Sequence, residues 1–111
     1  MAMIPMEYGG GWTEYTFTPQ SGYSAVSNYG TMYGLLNKEL GLAQVIWSGN
    51  STPSVIGSYS FNLPNDFTPK RSNIVPIKDG NYMEVRTDGR IFLSLSNLSW
   101  SGGSITYALN K

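Results

Sequence analysis

The 111-residue chain predicts an all-β domain, a small antiparallel barrel or sandwich of about eight short strands. Three observations predict it. Apolar and polar residues alternate with period two along several stretches, turn residues separate those stretches, and Gly, Ser or Pro interrupts every window long enough for a helix. A chain of this length fits one domain. It buries a small share of its surface on folding, so a partner surface is expected to supply part of the burial.

The elements follow in chain order. The opening "MAMIPMEYGGG" has neither the basic start nor the apolar middle of a signal peptide, and residues 1–11 read as a leader or tag with Gly9 to Gly11 as a flexible joint. Residues 12–111 form the single domain. "WTEYTFT" (12–18) is a strand by its aromatic and Thr content. "MYGLLN" and "LAQVIWS" flank "KELG" as a hairpin, although residues 35–42 leave a second option open, a single helical turn. Val55, Gly57, Tyr59, Phe61 and Leu63 alternate with Ile56, Ser58, Ser60 and Asn62 as a half-buried strand with one face mostly apolar. In "IVPIKDGNYMEVRTDGRIFLSL", Asp79-Gly80 and Asp88-Gly89 supply residues that accept positive φ at two turns, which predicts a three-stranded meander. Ile91, Leu93 and Leu95 share one side opposite Phe92 and Ser94, and Ile105, Tyr107 and Leu109 alternate in the last strand.

Composition narrows the chemistry. Seven Lys+Arg balance seven Asp+Glu, so the chain lacks the basic footprint of a nucleic-acid or anionic-membrane binder. No apolar run reaches the length of a membrane-spanning helix. With no Cys and no His, thiol nucleophiles, the Ser-His-Asp arrangement and the commonest zinc ligands are all excluded. No metal or other cofactor is expected, and no catalytic residue. A carboxylate pair is the one familiar hydrolytic device left. Asp66, Asp79 and Asp88 sit in turn contexts, where Asp is favoured for local backbone hydrogen bonds.

Glu84 differs. It lies between Met83 and Val85 in a strand, so alternation sends it to the opposite face with Tyr82 and Arg86. The plain reading is a solvated strand face. The functional reading is a platform for hydroxyl-rich ligands: Tyr82 for stacking or hydroxyl donation, Glu84 for accepting hydroxyls, Arg86 for a phosphate or the Glu84 carboxylate. Three Trp and eight Tyr supply the aromatic faces on which sugar rings stack, and most of these rings are expected in the core. Trp100, in the Ser/Gly loop "NLSWSGGS" where a ring is hard to bury, is the most suggestive of them, with capping of an open barrel end as its other reading.

The segment Pro64-Asn65-Asp66-Phe67-Thr68-Pro69, inside "SFNLPNDFTPKRSNIVPI", resembles the Pro-Asn-Glu-Phe-Cys-Pro segment in the head domains of lactococcal phage receptor-binding proteins. More broadly it is similar to an "LP-x-x-F-x-P" crossing of phage tail-fibre and baseplate β domains. The resemblance covers roughly residues 30–110. It implies a β-barrel head that assembles as a homotrimer, docks on other baseplate or tail proteins, sits at the virion tail tip and binds host cell-wall polysaccharide at the bacterial surface. Residues 1–11 would then be a remnant of the neck. A His-x-Asp pair that contributes to saccharide binding in some members maps by position onto Tyr82 and Glu84, with Tyr in place of His. The family's nearby Trp has no counterpart among Asp79, Gly80 and Asn81. In the crossing itself, the two prolines are expected to hold the chain extended while Phe67 anchors it in the core. The rival readings are a structural trimerising or docking domain of a virion tail protein with no saccharide site, and a polysaccharide-degrading enzyme.

Overall fold

Alternation turns into nine strands in the computed structural model, which describes residues 6–7, 9–24, 26, 30–49, 57–77, 80–95 and 102–110. The strands are β1 (Met6–Glu7), β2 (Thr13–Thr16), β3 (Gly30–Asn37), β4 (Leu42–Gly49), β5 (Gly57–Asn62), β6 (Asn73–Pro76), β7 (Tyr82–Val85), β8 (Arg90–Leu95) and β9 (Gly103–Ala108). They form a five-stranded sheet in the order β1-β2-β3-β4-β9 and a four-stranded sheet in the order β5-β8-β7-β6. All neighbours are antiparallel. Within the stretch read as a leader, Met6–Glu7 pair with Thr13 and Glu14, and the Gly9–Gly11 turn between them uses positive φ at Gly10 and Gly11.

The hairpin reading of residues 35–42 prevails over the helical turn. β3 and β4 pair along their whole length from Gly30↔Gly49 to Asn37↔Leu42. Asn37, fully buried, closes the turn: its Oδ1 accepts from Leu40 N–H, and its Nδ2 donates to the Gly10 carbonyl. Gly41, at φ 69°, completes the reversal.

The core lies between the sheets. Met32, Leu36, Ala43, Val45, Trp47 and Tyr107 face it from one side, and Tyr59, Phe61, Met83, Val85, Ile91, Leu93 and Leu95 from the other. Each of these sets follows the period-two spacing of its strand, which is why one face of β3, β4, β5, β7 and β8 is dry, whereas β2 and β6 bury no residue fully.

The sheets do not close into a barrel, so the architecture is a sandwich. They touch at both seams through single bridges, Pro19↔Phe61 on one side and Pro69↔Leu109 on the other. Each is flanked by two backbone hydrogen bonds. Gln20 N–H donates to Ser60 O and Asn62 N–H to Thr18 O at the first, and Lys70 N–H donates to Ala108 O and Asn110 N–H to Thr68 O at the second. That pattern places both prolines at non-hydrogen-bonded positions, where a missing N–H costs the bridge nothing.

The proline-bracketed crossing joins β5 and β6, the two edges of one sheet, and in doing so passes over the end of the sandwich. The expectation of an extended segment needs correction, because Asn65–Phe67 form one 3₁₀ turn. Pro64, at φ −58° and ψ 148°, stays extended and its carbonyl accepts the Phe67 N–H that starts the turn. Thr68, at φ −60° and ψ 122°, is extended because Pro69 follows it. The turn drops Phe67 into the core at 0% exposure, edge-on to Tyr15 and Phe17 at 5.5 and 4.9 Å between ring centroids. The anchor expected of Phe67 is thus present, seated on the opposite sheet. Asn65 and Asp66 stay exposed, and Asp66 pairs with Lys38 at 3.0 Å.

Candidate functional site

The outer face of the four-stranded sheet collects the side chains that alternation turns away from the core. β7 runs between β6 and β8, so Glu84 stands opposite Ile74 on one side and Phe92 on the other, with Tyr82 opposite Pro76 and Ser94. Met83 and Val85 are fully buried, and Glu84 accordingly points outward. Tyr82, 36% exposed, lies flat against Phe92, with centroids 6.1 Å apart and ring planes 12° from parallel. This is the diagonal cross-strand contact that long side chains reach on one sheet face.

Charges continue the row. Arg86 Nε lies 3.7 Å from Glu84 Oε1 and 3.7 Å from Asp88 Oδ2, and Arg90 closes on Asp88 at 2.8 Å. The hydrogen bond from Arg90 holds the Asp88 carboxyl below the usual carboxylate range, and the same bond raises the Arg90 guanidinium. Arg86 therefore stands between two carboxylates. The Glu84 side chain retains 22% exposure, enough to present an oxygen to a ligand beside Arg86.

The structure thus brings three of the predicted residues together, Tyr82, Glu84 and Arg86. The fourth, Trp100, lies outside the described residues, as does Asp79. Asp88, read as a turn residue, occupies the turn before Gly89 at φ 88° and also joins the charge row. Phe92 and Ile74 were missed as site residues. The signal for Phe92 was the alternation that puts it opposite Ile91 and Leu93, but only the pairing of β7 with β8 sets its ring against Tyr82. Ile74, 63% exposed beside Glu84, gives no sequence signal that separates it from a core isoleucine.

Chemically the face offers an aromatic plane, a carboxylate acceptor and a guanidinium donor in a line, the combination that takes a polyhydroxylated ring by its apolar side and its hydroxyls. No family model matches the chain, and no curated protein matches its sequence.

Proposed function

We propose that this chain is the receptor-binding head of a tailed-phage baseplate or tail fibre, holding a saccharide of the host cell wall on the outer face of its four-stranded sheet without chemical turnover. The observation that carries this reading is the stacked Tyr82–Phe92 pair set beside the Glu84–Arg86 pair. The resemblance of residues 64–69 to the phage crossing motif supports the same reading, as does the seating of Phe67. In it, Tyr82 gives a ring face and a phenol, Glu84 accepts sugar hydroxyls, Arg86 orients Glu84 or donates to the sugar, and the loop carrying Trp100 is the next contact to test. The proposed assembly is a homotrimer docked on other tail proteins at the virion tip.

Titration calorimetry against extracted Gram-positive wall polysaccharides tests it. Glu84→Ala is expected to lower affinity about tenfold to a hundredfold, because one or two charge-assisted hydrogen bonds are worth roughly 1.5–3 kcal/mol. Unchanged affinity for a polysaccharide that the parent binds would remove Glu84 from the site.

A second reading is favoured by Ile74, which stands exposed on the edge strand beside this face. In that reading the face is a contact between virion subunits. Ile74→Glu would then disperse the oligomer, whereas a saccharide platform leaves assembly unaffected by that change.

A further inference from the structure

Where β6 leaves the seam, a cleft of about 330 Å³ opens between it and β9, lined by Lys70, Arg71, Asn73, Tyr107 and Ala108. None of the residues of the Tyr82–Arg86 row lines it. The seam itself explains the cleft. Lys70 N–H donates to Ala108 O, but the chain bends at Lys70 and Arg71, and the reciprocal bond of a continued ladder, Ala108 N–H to Lys70 O, is not formed. Leu109 N–H points the other way, to Gly41 O, so strand alternation turns the Ala108 N–H toward the cleft.

Charge completes it. Among the described residues the ion pairs are made by Lys38, Arg86 and Arg90, and no carboxylate lies within ion-pair distance of Lys70 or Arg71. Both are exposed. Asn73 Nδ2 donates to the Arg71 carbonyl at 2.6 Å, which secures the bend and leaves Asn73 Oδ1 as an acceptor. The Tyr107 hydroxyl is engaged with Phe67 O, so Tyr107 contributes wall and no donor.

We propose that this cleft binds a phosphate group, free or esterified to a small polyol. A tetrahedral oxyanion presents oxygens in several directions at once, and here a lysine, an arginine and a strand-edge amide line one space. Asn73 Oδ1 accepts a hydroxyl of an esterified polyol. Two cations suit one phosphate and do not extend into the track that a nucleic-acid backbone requires.

Amide NMR of the full chain at constant ionic strength tests it, with inorganic phosphate, glycerol 1-phosphate and glycerol as separate titrants. Saturable shifts at Ala108, Lys70 and Arg71 are expected with both phosphates and not with glycerol. Equal affinity for the two phosphates identifies the free anion as the ligand, and tighter binding of glycerol 1-phosphate identifies the ester. The double variant Lys70→Ala/Arg71→Ala, at two exposed positions, is expected to keep the parent spectrum elsewhere and weaken binding at least tenfold. Shifts that do not saturate, or the same affinity in the double variant, would overturn the proposal.

Discussion

Gly34, in the middle of β3, is required by the aromatic rings it faces. A Cβ there would stand 2.5 Å from Phe17 Cζ and 2.8 Å from Phe67 Cε2. Gly34→Ala is expected to cost about 1–3 kcal/mol by overpacking, read as a lowered midpoint in chemical denaturation. Tyr107 is the second single-residue test. Its hydroxyl donates to Phe67 O at 2.7 Å, and burial pushes its phenol well above the usual tyrosine range. The folded state therefore keeps this proton at a pH where the unfolded chain, at about 10, has lost it. The contribution to stability is whole below about pH 10 and declines as pH rises above it. Tyr107→Phe is expected to lose about 1–2 kcal/mol at neutral pH through the unpaired carbonyl, and to show a shallower decline in alkaline denaturation than the parent. An equal slope in both proteins would exclude Tyr107 as its source.

At the scale of the element, the crossing from Pro64 to Pro69 acts as a rivet. It begins and ends extended, turns once between the prolines, and inserts a single side chain that touches the far sheet. Phe67→Ala is expected to destabilise the fold by about 3–5 kcal/mol, the range for emptying a buried aromatic site. A variant that unfolds at the parent's midpoint would deny the anchor its role. β7 contrasts with the crossing. Its inward residues are tightly packed while Glu84 makes only the 3.7 Å pair with Arg86, so Glu84→Ala is expected to shift stability by only about half a kcal/mol. Loss of saccharide affinity in that variant is then a loss of contact and not of fold.

For the whole molecule, the two seams engage the longer edges at β5 and β9, and the other two edges, β1 and β6, are short. Short edge strands, with Pro76 ending β6, limit strand-to-strand aggregation while leaving the outer faces free for contact. The proposed trimer is expected to scatter light as roughly three times the 12.2 kDa chain at micromolar concentration. A strictly monomeric species at high micromolar concentration would count against that assembly.

Alternation by itself determined much of this protein. It identified the dry faces of β5, β8 and β9, the meander with its two Gly turns, and the outward direction of Tyr82 and Glu84, because the period of two is a property of each strand alone. The proline bracket also marked Phe67 as the crossing's anchor, since a large ring inside a polar, stiff bend has few places to go but inward. Tertiary structure decided the rest. Whether Phe92 lies against Tyr82, whether Gly34 faces two rings, and whether Ala108 leaves an amide beside Lys70 and Arg71 all depend on which strands pair and where pairing stops. Those choices are made by contacts between residues far apart in the chain, and no local period encodes them.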